Sequence, residues 1–176
     1  MSLINGLPAH VLLVHFVVVL VPLTALALVV SAVWPVAARR IGVVLPVMAL
    51  VTLGSVPLAT EAGEWLERHV DSDPLVRRHA ELGDGMLPWA LGLFVLAAVV
   101  WWTTRRTAAA ESGAQGGAQA SGRTGSVIRI AAAVLSVVVA AGAVVDVYRI
   151  GDSGAKAAWH DGYSKTATGG KGDGDE

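Results

Sequence analysis

The chain has 176 residues, of which 54% are hydrophobic and only 15% charged, with a formal net charge of −1 at pH 7. A soluble domain is usually about 45–50% apolar and about 25% charged, so this composition indicates a membrane protein instead. The balanced charge gives no reason to expect nucleic acid as a partner. The lack of cysteine excludes disulfides, cysteine-ligated zinc, iron–sulfur clusters and c-type haem attachment.

The apolar residues gather into four blocks, each long enough for the roughly 20 residues that cross a bilayer. We predict membrane spans at about 8–36, 41–60, 74–104 and 127–150, the third beginning at Asp73-Pro74, a helix cap followed by a first-turn proline. Residues 107–126, rich in Gly, Ala and Ser, predict a flexible linker. Residues 161–176 predict a disordered polar tail. The expected fold is all-α, a four-transmembrane-helix bundle within residues 1–160.

The positions of the basic residues predict the orientation in the membrane. No Lys or Arg precedes the first span, whereas several arginines follow it or flank the linker: Arg39, Arg40, Arg105, Arg106, Arg123 and Arg129. The positive-inside rule then makes the linker cytoplasmic and both termini extracytoplasmic in a multi-pass plasma-membrane protein. Two aromatic belts are expected, with Trp34, Trp101 and Trp102 inside and Trp65, Trp89 and Trp159 outside. The lipid bilayer is the expected partner, and a second membrane protein or a second copy of the chain is left open.

All five histidines fall at or beyond the same end of the spans: His10, His15, His69, His79 and His160. Counting about 20 residues from the opposite end, at about 1.5 Å each, reaches a titratable residue on every span. These residues are His15, Glu61, Glu81 beside His79, and Asp146. Imidazoles at membrane depth are costly and usually serve a purpose, so we predict a polar layer near the outer face. His69 and His160, in polar segments, are expected at the surface.

Three functions fit such a layer. In the first, the protein is a structural or accessory membrane subunit, and the His/Asp layer is a hydrogen-bonded network that fixes helix register. In the second, His15 and His79 bind haem b as axial ligands, or a divalent metal is held by ligands from a larger set: His10, His15, His79 and Asp146. His10 and His15 are five positions apart, so an ideal helix does not aim both at one site.

The third function is a one-sided proton or small-solute site, in which His15, Asp146 and His79 titrate in turn. A path deeper into the membrane has only hydroxyl side chains to continue it: Thr24, Ser31, Thr52 and Ser136. No nucleophile–base pair or phosphate-binding loop is apparent. Enzymatic activity is therefore uncertain and less well supported than a non-catalytic role.

Four motifs carry a family resemblance: LPAHVLLVHF at Leu7–Phe16, TEAGEW at Thr60–Trp65, RRHAELGD at Arg77–Asp84 and YRIGDSGAKAAW at Tyr148–Trp159. With them the chain resembles the bacterial membrane-protein family catalogued as domain of unknown function 2231. The resemblance covers all but the linker and the tail. It implies a four-helix membrane protein with no established activity and points to His10, His15 and His79. A histidine is common in that family where this chain has Asp152, so the resemblance implies no role at that position.

Overall fold

The computed structural model describes residues 3–4, 7–69, 73–113 and 122–159. Two short strands, β1 (Leu3–Ile4) and β2 (Leu7–Pro8), pair antiparallel ahead of the helices. The helices follow in chain order: α1 (Ala9–Val33), α2 (Pro35–Ile41), α3 (Val44–Glu67), α4 (Pro74–Asp84), α5 (Met86–Gly113) and α6 (Gly122–Trp159). The predicted tail at 161–176 and His160 lie outside the described residues.

Four helical segments of the described part are long and apolar enough to cross a membrane: Ala9–Val33, Val44–Glu67, Pro74–Ala109 and Gly125–Trp159. α1 and α5 each pack against both α3 and α6, which closes a four-helix ring. Only 22–33% of the residues in the most apolar windows of these segments are buried. Many of their large apolar side chains remain exposed on the outside of the bundle, as a bilayer requires and water would not favour. The predicted all-α polytopic membrane fold is confirmed.

The interior of the bundle is built from small and hydroxyl-bearing side chains. Ala25, Ala49, Ala90 and Ala97 are almost completely buried, one on each of α1 and α3 and two on α5. Such residues let membrane helices approach closely, where van der Waals contact replaces the hydrophobic driving force. The hydroxyls that the sequence offered for a path all point inward: Thr24, Ser31, Thr52 and Ser136 are buried.

One of these hydroxyl contacts joins two helices. Thr52 Oγ1 donates its hydrogen to the carbonyl oxygen of Met48, so the 2.8 Å contact with Thr24 Oγ1 is donated by Thr24. The bond links α1 to α3 halfway along the bundle. It satisfies both hydroxyls where no water would be expected to do so.

Prolines set two helix boundaries that differ from the predicted spans. Pro35 separates α1 from α2, and Trp34 before it is extended, with φ −116° and ψ 100°, as steric clash with a following proline requires. Pro88 has no N–H for the carbonyl of Asp84, and the third span is interrupted there, at Gly85 between α4 and α5. At the start of that span, α4 begins at Pro74, and the side chain of Asp73 caps it by accepting a hydrogen bond from Leu75 N at 2.7 Å.

Helical structure also extends into the segment 107–126, which the sequence predicted to be a flexible linker. α5 continues to Gly113 and α6 begins at Gly122. The Ala-rich run at 107–110 has a high helix propensity, which the Gly/Ser composition of the whole stretch concealed. Residues 114–121 lie outside the described part. α6 likewise passes the predicted end at Ile150 and continues to Trp159.

The two ends of the bundle differ in chemistry. α1 begins and α6 ends at one of them, which we call the histidine end, since His10 and His79 lie there. The opposite end, called the arginine end, contains α2, the later turns of α5 and the start of α6.

Candidate functional site

His10 joins α1 to α3. Its Nδ1 lies 2.9 Å from the carbonyl oxygen of Ala59, 49 positions along the chain. A carbonyl only accepts hydrogen bonds, so Nδ1 carries the proton and donates. The ring also packs directly on Gly63, where a Cβ would stand 3.0 Å from both Cε1 and Nδ1 of His10. The absence of a side chain at residue 63 therefore makes room for this imidazole.

His79 joins α4 to α6 in a similar way. Its Nδ1 lies 3.1 Å from the carbonyl oxygen of Ile150 and 3.1 Å from Ser153 Oγ. Ser153 Oγ donates its own hydrogen to the same carbonyl at 2.8 Å, so it can only accept from the ring. Here too a glycine makes room, because a Cβ on Gly154 would stand 2.9 Å from His79 Cε1.

The two imidazoles meet at the histidine end. Their ring centroids are 6.1 Å apart with an interplanar angle of 78°, an edge-to-face arrangement. Because His10 binds α3 and His79 binds α6, the pair connects four helices: α1, α3, α4 and α6. Both rings donate from Nδ1, which leaves the lone pair of each neutral imidazole on Nε2.

The structure brings His10, and not His15, against His79. His15 is exposed, and its Nδ1 donates to the carbonyl of Val11 in its own helix at 2.6 Å. His10 and His15 thus point to different sides of α1, as their spacing indicated. His69 is also exposed and stacks on Trp65 with centroids 4.0 Å apart.

Asp146 lies on the face of α6 that packs against α4 and α5. Its Oδ2 is buried and has no hydrogen-bond partner among the described residues. Gly85, between α4 and α5, lies close to this oxygen, since a Cβ there would stand 3.9 Å from it. The carboxylate therefore sits beside the break between those two helices, one helical turn below Ile150, whose carbonyl accepts from His79.

One packing contact on this same face was not anticipated from the sequence. The ring of Trp89, expected in the outer aromatic belt, rests on the backbone of Gly142, so closely that a Cβ there would overlap it. One helical turn away, the side chain of Val139 in α6 lies against Gly92 in α5. Glycines on either helix thus accept large side chains from the other.

Within the described ranges 9–69, 73–109 and 125–159, no group of three or more His, Cys, Asp or Glu side chains is arranged to hold a metal ion. The predicted set of His10, His15, His79 and Asp146 is thus not gathered at one point. A half-open groove of about 250 Å³ lies between α3 and the α4–α5 junction and is lined by Val56, Pro57, Thr60, Gly83, Asp84 and Leu87.

These features define a polytopic α-helical membrane protein with a pair of contacting imidazoles at one end. The chain belongs to the family DUF2231, described as a predicted membrane protein, whose model matches residues 6–167. That range includes both imidazoles of the pair and all four membrane-spanning segments, and it confirms the resemblance seen in the sequence. No curated protein and no solved structure matches the chain.

Proposed function

We propose that the protein is a structural or accessory membrane subunit in which the His10–His79 pair fixes the register of four helices. One observation carries the proposal: both imidazoles donate to main-chain carbonyls of a different helix, Ala59 in α3 and Ile150 in α6. In lipid, helices gain no hydrophobic energy by associating, so interhelical hydrogen bonds and close packing decide their alignment.

The contacts of helix α4 show why an interhelical hydrogen bond is needed to hold it in place. None of its residues is fully buried, and five of its eleven residues are ionisable: Arg77, Arg78, His79, Glu81 and Asp84. Packing alone therefore holds it weakly. Two contacts of His79 attach α4 to α6: its hydrogen bond to the carbonyl of Ile150 and the packing of its ring on Gly154. The four segments then present a fixed apolar surface to lipid or to another membrane subunit.

The first test compares His10→Ala and His79→Ala with His15→Ala as the matched control. Each of the first two removes an interhelical hydrogen bond, for which membrane proteins show a loss of about 0.6 kcal/mol on average and up to about 1.7 kcal/mol. His15→Ala removes only a bond within α1 from an exposed side chain, so its unfolding free energy should stay near that of the wild type. Thermal or chemical unfolding in one detergent measures all three. An equal loss in His15→Ala would contradict a special role for the pair.

A second candidate is a haem b- or metal-binding protein. It is favoured by the tautomer of His10 and His79, in which Nδ1 carries the proton and Nε2 the lone pair. Metal-binding imidazoles commonly donate one N–H to a carbonyl, which fixes the tautomer and leaves the other nitrogen as the ligand. His10 and His79 share that arrangement, so they take the place of the predicted pair His15 and His79. Their Nε2 atoms would be the ligands, and only a group that tolerates two protein ligands would fit.

The two candidates predict different effects of His79→Ala: a loss of stability alone, or the loss of a bound haem or metal. We expect the purified wild-type protein, made with ample haem and metal, to show no Soret band and no stoichiometric transition metal, and His79→Ala to change stability alone. A bound chromophore or metal that His10→Ala and His79→Ala abolish and His15→Ala retains would replace the structural proposal by the second candidate.

A further inference from the structure

The arginine end carries four exposed arginines on two neighbouring helices. Arg39 and Arg40 lie in the last turn of α2, Arg105 and Arg106 lie on α5, and all four are exposed. α2 packs against α5, which brings the two dibasic pairs to neighbouring elements. Residues 30–60 and 85–109 contain no Asp or Glu, and along the chain the first acid after Arg106 is Glu111.

Two tryptophans hold the α5 arginines in place. The guanidinium carbon of Arg105 lies 5.0 Å from the ring centroid of Trp101, and that of Arg106 lies 4.7 Å from the ring centroid of Trp102. Both are cation–π contacts one helical turn long. They turn the guanidinium groups back along α5 towards the apolar span instead of outward into water.

The level of these groups matches that of lipid phosphates. Tryptophans at the end of a membrane span sit among the headgroups. A guanidinium that rests on such a ring lies at the same depth, and its planar fork of N–H donors suits a phosphate. At the same end of the bundle, Trp34 and Trp102 are more than half exposed, at 62% and 51%. Valines beside them also face outward, so acyl chains can pack against this surface below the headgroup.

We propose that the surface formed by Arg39, Arg40, Arg105 and Arg106 binds the headgroup of an anionic phospholipid, with Trp101 and Trp102 positioning the α5 pair. The proposal does not depend on the role of the histidine pair, which lies at the other end of the bundle. It commits to lipid as the source of the phosphate, because the site lies at the edge of an apolar surface that acyl chains cover.

The test measures lipid retention by native mass spectrometry of the full chain in mixed micelles that contain phosphatidylglycerol and phosphatidylcholine. Each basic residue near an anionic surface contributes enough attraction for about a five-fold preference. We expect the wild type to retain phosphatidylglycerol preferentially, and Arg105→Gln/Arg106→Gln to reduce that preference by about 25-fold. Arg77→Gln/Arg78→Gln, an exposed pair on α4 that loses the same charge, is the matched control and should reduce the preference clearly less, because the site is formed at the arginine end.

Two further arms separate the alternatives. Trp101→Leu/Trp102→Leu keeps every charge but removes the cation–π contacts, and we expect it to lower the preference as well. Inorganic phosphate at millimolar concentration should not displace the lipid. An equal loss in the α4 control, no effect of the tryptophan variant, or full displacement by phosphate would each overturn the proposal.

Discussion

Gly142→Ala is expected to lower the free energy of unfolding by about 1–3 kcal/mol, the usual cost of forcing an extra carbon into a packed interior. The new Cβ would overlap the ring of Trp89, so the ring or the whole of α5 must move away from α6. Trp89 also packs against the buried core, which limits the space into which it can move. The greater helix propensity of alanine offsets only part of the loss.

Gly54→Ala supplies the control for this first prediction. Gly54 lies in α3 with nothing within 4 Å of the position of a Cβ, so the same substitution meets open space. Alanine should then be neutral or stabilise α3 by up to about 1 kcal/mol, since glycine is the weaker helix former. Unfolding of both variants in one bicelle preparation checks the opposite signs. A loss of similar size in both would contradict the packing of Trp89 on Gly142.

Gly154→Ala should be the second largest single change, with a loss of about 1–3 kcal/mol. Its Cβ would stand 2.9 Å from Cε1 and 3.1 Å from Nδ1 of His79. The ring must shift, and the shift weakens its bond to the carbonyl of Ile150. The substitution therefore combines overpacking with damage to the contact that attaches α4 to α6.

Gly151→Ala is the matched control, three positions away on α6 with nothing within 4 Å of its Cβ position. It should leave the stability equal to or slightly above that of the wild type. The readout specific to His79 is its accessibility: diethyl pyrocarbonate should modify His79 faster in Gly154→Ala than in Gly151→Ala. Equal modification rates would show that the imidazole of His79 does not pack on Gly154.

The spans could be predicted because hydropathy and length decide them almost alone. The predicted ends of the spans were less accurate where a proline alters the local backbone. Pro35 ended α1 before the apolar run ended, and Pro88 split the third span at Gly85. These breaks depend on single prolines, through a steric clash with the preceding residue at Pro35 and a missing N–H at Pro88, which a composition average does not register.

The sequence predicted polar residues at one end of the bundle but not which of them form a pair. Counting residues along each span placed His15, His79 and Asp146 at a common level, yet it could not say which side of α1 faces the bundle. α1 is apolar all round, so no amphipathic pattern distinguishes His10 from His15. Helix rotation follows from close packing at glycines such as Gly63 and Gly154, and one sequence does not reveal which glycines face a ring.

A double-mutant cycle on His10 and His79 tests most directly whether the two imidazoles act as one unit that joins the helices. Reversible unfolding in bicelles gives the free energies for the wild type, His10→Ala, His79→Ala and the double variant. Rings in edge-to-face contact at 6.1 Å predict a coupling energy of about 0.5–1.5 kcal/mol, whereas the same cycle on His15 and His79 should give none. Losses from His10→Ala and His79→Ala that simply add would contradict the account.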